Sequence, residues 1–316
     1  MLAILLVTFP FFALVLCGYV AARREMLPHA AIPGLNAFVL YFALPCMLYR
    51  FGSSTPVAQF ADPGLIGVYF VCAVAMVGLT IAASVRRVGW NDGAFGALVA
   101  SFSNTGYMGV PLLVALLGDG AAGPAIVTIL IDLLFTSSVC IALSRLDSAD
   151  THGAAIAARN ALRGVLANPM PWAIVLGAVS SAVGLKLWGP IGQTVGLLAD
   201  AASPVALFTI GAVLARSRAT ASTGRRTYDE LPLALAKLLV HPLLVYGVGR
   251  GAIALGVPLS GFVLTVMTLV AALPSASNVV MLAERFGADS GRIARIILIS
   301  TTLAFVTFSG AVAILT

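Results

Sequence analysis

The sequence predicts an all-α membrane protein with ten transmembrane helices, arranged as two inverted five-helix repeats in which helices 4 and 9 are broken and cross. Three observations lead to this fold class. The composition is 60% hydrophobic and 9% charged, whereas a soluble domain carries about 25% charged residues. The apolar residues fall into stretches of membrane-spanning length, and two of these stretches are interrupted by small and polar residues.

The apolar stretches set the order of the elements. A helix needs about 20 predominantly apolar residues to cross the hydrocarbon core of a bilayer. Stretches of this kind lie near 2–22, 32–51, 63–85, 93–118, 122–144, 168–187, 192–215, 231–255, 258–285 and 290–315. Arg23 and Arg24 follow the first stretch, which is the reverse of the order in a secretory signal peptide. We therefore expect the first stretch to be retained as a transmembrane helix.

The cationic residues indicate the orientation of the chain. When Lys and Arg are counted in alternate connections, one set of loops holds fourteen and the other holds three, Arg50, Lys186 and Arg250. Cytoplasmic loops carry the excess, so both termini are predicted to be non-cytoplasmic and the loops 144–166 and 216–230 cytoplasmic. The net charge of +6 is thus explained by topology, and no nucleic-acid partner is predicted.

The longest loop divides the chain into two halves of five spans each. Because the number of spans per half is odd, the second half inserts in the opposite orientation, as in secondary transporters built from inverted repeats. Residues 43–52 match 202–211 as Ala-x-Pro-x-x-Leu-aromatic-x-x-Gly, and 100–104 correspond to 271–275 in the fourth span of each half. These matches indicate an internal repeat.

The interruptions at 101–111 and 273–278 are the main candidate for a binding site. Such stretches cannot face lipid, because each freed backbone amide or carbonyl would lack a partner there. Two broken helices at corresponding positions of inverted halves indicate a substrate site, and their half-helix N-termini favour a carboxylate. The alternative is that the prolines only kink two packed helices. The candidate substrate-binding residues are Ser103, Asn104, Thr105, Asp132, His241, Pro274, Ser275, Ser277 and Asn278, and the candidate hinge residues are Gly106, Gly109, Pro111 and Pro274.

Three ionisable residues lie inside predicted spans and are candidates for ion coupling. A carboxylate at the depth of Asp132 costs about 2.5–3.5 kcal/mol on insertion scales, so it should face the protein interior. It could carry a proton, bind a cation, contact a substrate donor, or serve packing as a protonated acid. Lys237 and His241 are one helical turn apart and share a face. They could offset an anion or form a proton relay with Asp132, while snorkelling of Lys237 to the membrane surface is the slightly favoured alternative.

No cofactor or metal centre is predicted. The four cysteines fall inside apolar stretches without paired spacing, so the sequence supports neither a disulfide framework nor a metal site. An intramembrane hydrolase that uses Ser103 or Ser275 with His241 is disfavoured, because no Gly-x-Ser-x-Gly or His-Glu-x-x-His motif occurs. The protein is therefore not expected to be an enzyme.

The segment Asn-Thr-Gly-Tyr-Met-Gly-Val-Pro-Leu-Leu at 104–113 resembles the Asn-Thr-x-x-x-Gly-x-Pro-Leu-Leu segment of the auxin efflux carrier family. This family includes plant PIN-type auxin carriers and bacterial malonate-transporter-like proteins. Ala-Ala-Leu-Pro at 271–274, followed by Ala-Glu-Arg-Phe at 283–286, similarly resembles the second break of the family and its acidic-basic-aromatic end. The resemblance covers essentially the whole chain.

The resemblance implies an elevator-type transporter, often dimeric, with a scaffold and a moving transport unit. The scaffold corresponds to 1–60 and to 151–228, which includes the cytoplasmic loop, and the transport unit corresponds to 61–150 and 229–316. Asn104 falls on a family asparagine that faces the substrate carboxylate, and Pro274 falls on the crossover proline. Asp132 and Ser103 depart from the plant pattern, which has glutamine and proline, so a plain auxin-anion site is not expected.

The sequence therefore predicts a secondary transporter or facilitator of the bacterial inner membrane that moves a small organic carboxylate anion by alternating access, with Asp132 titrating during the cycle. The expected partners are this anion, a proton or Na⁺, membrane lipid and a second copy of the chain bound through scaffold helices. The alternative is a sodium-coupled symporter or cation/proton antiporter of similar topology, in which Asp132 and carbonyls at the breaks bind the ion.

Overall fold

The structure is a computed structural model that describes residues 2–56, 62–146, 159, 169–221 and 229–316. Within these ranges the regular elements are helices. The α-helices are α1 (Leu2–Arg23), α2 (Ile32–Phe38), α3 (Leu44–Ser54), α4 (Pro63–Ser101), α5 (Val110–Leu117), α6 (Ala122–Ile131), α7 (Ser137–Leu143), α8 (Pro169–Val183), α9 (Gly189–Ala221), α10 (Glu230–Leu235), α11 (His241–Ala254), α12 (Gly261–Ala272), α13 (Val279–Arg285) and α14 (Ser290–Leu315). Short 3₁₀ helices lie at His29–Ala31 and Asp119–Ala121.

The described helices include six that are long and apolar enough to cross a membrane. Four shorter apolar helices, Phe9–Arg23, Thr105–Leu117, Pro169–Val183 and Gly261–Ala272, account for further predicted spans or half-spans. The predicted third span and the start of the fourth form one helical run, α4, in which Gly89 is non-helical with φ 80° and ψ 175°. Glycine is suited to this position because it adopts positive φ without steric cost. The all-α membrane class is thus confirmed, whereas the ten-span inverted topology stays a prediction.

Four π-helical segments interrupt the α-helices of the described chain, at Val39–Ala43, Thr105–Gly109, Asp132–Thr136 and Ala236–Val240. Proline explains three of them. Pro45, Pro111 and Pro242 each stand two residues after a π segment. A proline lacks the N–H for the helical hydrogen bond and its ring crowds the carbonyl four residues earlier, so the preceding turn widens. At the fourth segment the Ser137 hydroxyl donates to the carbonyl oxygen of Asp132 at 2.7 Å.

Two compact units make up the chain. Unit 1 comprises Met1–Asp62, Thr105–Val127 and Asn168–Arg216. Within it α3 and α8 pack backbone to backbone, because a Cβ added to Gly177 would lie 2.6 Å from the carbonyl oxygen of Tyr49. A Cβ on Gly52 would lie 3.1 Å from the carbonyl oxygen of Ile174. Small residues allow helix backbones to approach closely in membrane proteins.

Helices α1 and α9, also in unit 1, make the same contact at corresponding positions. Gly18 lies against the backbone of Phe208, and Gly211 lies against the carbonyl oxygen of Val15. Each of these four residues is 159 positions away from its counterpart in the α3–α8 contact. The similarity between 43–52 and 202–211 therefore corresponds to a repeated helix contact.

Unit 2 comprises Pro63–Asn104, Thr128–Ala167 and Ser217–Thr316. At one end of this unit the Arg292 side chain is buried, with 2% exposure, and all of its nitrogens donate hydrogen bonds. Nε and Nη2 donate to the two carboxylate oxygens of Asp229 at 3.1 and 2.5 Å, and Nη1 donates to the carbonyl oxygen of Asp92 at 2.8 Å. Asp289 caps α14 by accepting from the Arg292 amide at 2.8 Å. We call these four residues the Arg292 network.

The orientation count includes Arg292 among the fourteen cationic residues of one set of loops, and the Arg292 network corrects this assignment. Arg292 is instead a buried residue that joins α4, the residue before α10 and the start of α14. The Asp289 amide also donates to the Asp92 carboxylate at 2.7 Å. A buried charge needs such partners, because the cost of its desolvation is large.

Candidate substrate site at the paired helix breaks

The two interrupted helices of unit 2 meet through their backbones. α4 ends at Ser101 and α12 ends at Ala272, and the extended residues that follow form an antiparallel bridge between Ser103 and Ser275. The Asn104 amide donates to the carbonyl oxygen of Pro274 at 2.9 Å, and the Ala276 amide donates to that of Phe102 at 3.0 Å. These bonds satisfy backbone groups that the helices release at the breaks. The two breaks predicted from the sequence are therefore in direct contact.

The hydrogen-bond pattern of this bridge gives the crossing two faces. Ser103 and Ser275 are opposite each other without bonding directly, and side chains of such pairs lie close together on the same face. Successive residues in extended chain alternate between faces, so Asn104 lies on the other one. The hydroxyls of the two breaks and the amide of Asn104 are thus presented to different sides of the crossing.

The bridge is antiparallel, so the two breaks run past each other in opposite directions. Asn104 lies opposite Pro274, and Phe102 lies opposite Ala276. The helices α4 and α12 end at Ser101 and Ala272, which are 171 residues apart, the same spacing as in the sequence match of 100–104 with 271–275.

Asp132 lies on the hydroxyl face of the crossing and is 1% exposed. It begins the π segment Asp132–Thr136, and π-bulges are frequent at functional sites. The hydroxyl of Tyr69 donates to Oδ2 at 3.1 Å, and the hydroxyl of Thr136 donates to Oδ1 at 3.1 Å. Ser103 interacts with both Asp132 and Tyr69. The prediction that Asp132 faces the protein interior is confirmed.

Lys237 and His241 lie in the same polar cluster. The Lys237 side chain is fully buried, which shows that the favoured alternative of snorkelling to the surface is wrong. Its Nζ donates to the carbonyl oxygen of Ala271 at 2.5 Å, at the last turn of α12, and lies 3.3 Å from Nδ1 of His241. The ammonium therefore caps the negative end of this half-helix, and it interacts electrostatically with Asp132.

Several polar atoms in this region are buried without a hydrogen-bond partner among the described residues. The atoms concerned are Oδ1 of Asn104, Oγ of Ser275, Oδ1 of Asn278 and Nε2 of His241. In contrast, the Ser275 amide is satisfied, because it bonds to the Ser300 hydroxyl at 3.3 Å. An unpaired buried polar group costs roughly 1–3 kcal/mol, so groups that stay unpaired in one region mark a place where water or a ligand can bind.

The remaining predicted residues fall in different places. Ser277 is partly exposed, and Pro274 contributes its backbone carbonyl. The residues after the first break belong to unit 1, where Thr105, Gly106 and Gly109 form the π segment Thr105–Gly109 and Pro111 lies in the first turn of α5.

Three residues of the site were not predicted. Tyr69, Thr136 and Ser300 supply hydrogen bonds to Asp132 and to the backbone of Ser275. Thr136 had a sequence signal, because it stands four residues after Asp132 in the same span and therefore shares its face. Tyr69 and Ser300 come from other spans and have no such signal.

The chain matches known proteins over most of its length. The family model described as "Membrane transport protein" matches residues 3–312. A protein of Rhizobium meliloti named "Putative malonate transporter" is 28% identical over 308 residues, which cover 95% of this chain and 92% of the relative. A protein of Escherichia coli K12 named "Uncharacterized transporter YfdV" is 28% identical over 281 residues, covering 88% of this chain and 86% of the relative.

A third relative, an "Uncharacterized transporter" of Methanothermobacter thermautotrophicus, is 25% identical over 296 residues and covers 93% of this chain and 92% of the relative. The family match spans both helix breaks and every residue of the polar cluster. The chain is therefore an integral membrane transporter and not an enzyme, and it belongs to the membrane transport protein family of auxin efflux carriers and malonate-transporter-like proteins.

Proposed function

We propose that this protein is a secondary transporter or facilitator that moves a small organic carboxylate anion across the bacterial inner membrane by alternating access. The observation that carries the proposal is the hydrogen-bonded crossing of two broken helices, at which the side-chain oxygens of Asn104 and Ser275 are buried and have no partner among the described residues. Irregular backbone of this kind is tolerated in a membrane protein where it is buried in protein or lines a cavity.

The transporter has ten spans in two inverted five-helix repeats, with both termini non-cytoplasmic. The repeated glycine contacts in unit 1 support this topology, since corresponding residues are 159 positions apart throughout. The symmetric bridge between Ser103 and Ser275 supports it in unit 2. A scaffold formed by spans 1, 2, 6 and 7 dimerises, and the remaining spans move as the transport unit of an elevator.

The substrate is a small carboxylate that binds at the crossing. The side-chain carboxamide of Asn104 supplies N–H donors through Nδ2. The hydroxyl of Ser275 can donate to an acceptor on the other face of the crossing. The buried Lys237 side chain interacts electrostatically with Asp132, and in its ammonium form it offsets the negative charges of Asp132 and of an anion. One relative carries a name that specifies malonate, and we therefore take malonate as the first probe.

Asp132 couples transport to protons. A buried carboxylate next to an anionic substrate repels it in the charged form, and protonation removes this repulsion. The two hydroxyl donors on Asp132 leave carboxylate lone pairs available for a proton. A sodium ion at the same carboxylate is the alternative.

Uptake of radiolabelled malonate into proteoliposomes tests the proposal. We expect uptake that an imposed proton gradient accelerates and a sodium gradient does not. Acceleration by sodium alone would favour the symporter alternative. No uptake or counterflow of malonate or of other small carboxylates under either gradient would contradict the proposed function.

A further inference from the structure

Lys237 and His241 form a pair whose hydrogen bonding fixes the protonation of the imidazole ring. An ammonium group has three donors and no acceptor, whereas a neutral imidazole has one donor and one acceptor. Nζ of Lys237 donates to the carbonyl oxygen of Ala271 and also lies 3.3 Å from Nδ1 of His241, so with Lys237 as an ammonium Nδ1 is the acceptor. The ring proton is then on Nε2.

The Nε2 atom of His241 is buried and has no hydrogen-bond partner among the described residues. His241 as a whole is 1% exposed, and the neighbouring Lys237 cation disfavours a second proton on the ring. The titratable groups around the ring are Lys237, Tyr69 at 6.2 Å between ring centroids, and Asp132 behind the Tyr69 hydroxyl. His241 thus presents one neutral donor that no described residue of the protein uses.

We propose that Lys237 and His241 act as a fixed carboxylate-recognition pair, in which Lys237 holds His241 as the Nε2–H tautomer and this N–H donates to a carboxylate oxygen of the substrate. His241 binds the anion as a neutral group and does not carry the coupled proton. Lys237 is a positioning residue that acts through His241. The identity of the ligand rests on the proposed function, whereas the tautomer does not.

The tautomer is measured by ¹⁵N NMR on the purified full-length protein. The chain has three histidines, so the double variant His29→Gln/His152→Gln leaves His241 as the only imidazole. We expect a proton on Nε2 and none on Nδ1, and a change of the Nε2–H signal when malonate is added. A proton on Nδ1, or on both nitrogens, would overturn the proposal. In Lys237→Met we expect the preference for Nε2–H to be lost, and an unchanged tautomer there would also contradict the role of Lys237.

Malonate binding to His241 variants provides the second measurement. Glutamine can place an N–H donor near the position of Nε2, whereas leucine of similar size cannot. We expect His241→Leu to weaken binding about tenfold or more relative to His241→Gln, because a hydrogen bond to a charged group is lost. Equal affinities of the two variants would overturn the proposal. If the wild-type protein shows the Nε2–H tautomer but neither binds nor transports any small carboxylate, the proposed function fails and the tautomer assignment stands.

Discussion

Unit 2 contains two buried polar clusters that differ in how their hydrogen bonds are satisfied. In the Arg292 network every nitrogen of the guanidinium group donates to an oxygen of Asp229 or Asp92. At the helix crossing, atoms of Asn104, Ser275 and His241 are equally buried but have no hydrogen-bond partner in the part of the chain that the structure describes. The Arg292 network therefore joins helix ends, and the crossing retains capacity for a ligand.

This difference separates stability from function within one unit. Removing a residue from the satisfied cluster leaves its buried partners without a hydrogen bond, which lowers the free energy of unfolding. Removing an unpaired atom leaves no buried group without a partner. We therefore expect substitutions in the Arg292 network to lower stability and substitutions at the crossing to lower transport. The following variants test this separation, from the largest expected effect to the smallest.

Arg292→Met should lower the free energy of unfolding by about 3–5 kcal/mol, because it leaves the Asp229 carboxylate without its buried partner. Thermal or denaturant unfolding in detergent measures this change. Arg50→Met is the matched control, since Arg50 pairs with Asp200 at 2.6 Å but the two side chains are 42% and 69% exposed. It should cost about 0–1 kcal/mol. Equal losses in the two variants would show that the network is not a special source of stability.

Asn104→Ala should reduce malonate uptake about tenfold or more with little loss of stability, because a hydrogen bond to a charged group is worth roughly 1.5–3 kcal/mol. Asn91→Ala is the control with the opposite profile. Its amide nitrogen donates to the carbonyl oxygens of Gly287 and Phe286 at 3.0 and 3.4 Å, so this variant should lose stability and keep its uptake per folded molecule. A similar loss of uptake in both variants would contradict the separation.

Asp132→Asn should remove the pH dependence of malonate uptake. In the wild-type protein we expect uptake to fall as pH rises through the titration of Asp132, by up to about tenfold per pH unit, because the charged carboxylate repels the anion. Asparagine keeps an oxygen that can accept from Tyr69. Counterflow measured at equal internal and external pH separates the effect of Asp132 protonation on anion binding from the driving force of a proton gradient. A variant with the wild-type pH profile would exclude Asp132 as the coupling group.

Gly96→Ala should lower the free energy of unfolding by about 1 kcal/mol, near the lower end for overpacking. The added Cβ would lie 3.0 Å from Nη2 and 3.4 Å from Nη1 of Arg292, so the guanidinium must shift from its partners. Gly78 lies in the same helix, α4, with nothing within 4 Å of an added Cβ. Gly78→Ala should be neutral or stabilising, by up to about 1 kcal/mol. If both variants behaved alike in thermal unfolding, the Arg292 contact would not limit position 96.

The sequence located the crossing because its signals are local. Polar residues and proline within an apolar run predict a break whatever the tertiary fold, and they made Asn104 and Ser275 candidate residues. Asp132 became a candidate because a carboxylate inside an apolar span is costly. The partners of Asp132 could not be predicted in the same way, because Tyr69 is a single polar residue in an otherwise apolar span. A hydroxyl on an aromatic ring there fits packing as well as it fits a site.

The role of Arg292 depended on tertiary structure. Arg292 was read as a loop cation, because its carboxylate partner Asp229 lies 63 residues away in the sequence. Long-range ion pairs leave no periodic pattern in a sequence.

The most direct test of the account is the stabilisation of the purified protein by malonate. A ligand that binds only the folded state at a concentration of 100 times its Kd stabilises it by about 2.7 kcal/mol. We predict that malonate raises the melting temperature of the wild-type protein and of Asn91→Ala, but not that of Asn104→Ala. The same malonate-induced shift in Asn104→Ala as in the wild type, or no shift in any of the three proteins, would contradict a malonate-binding site at the crossing.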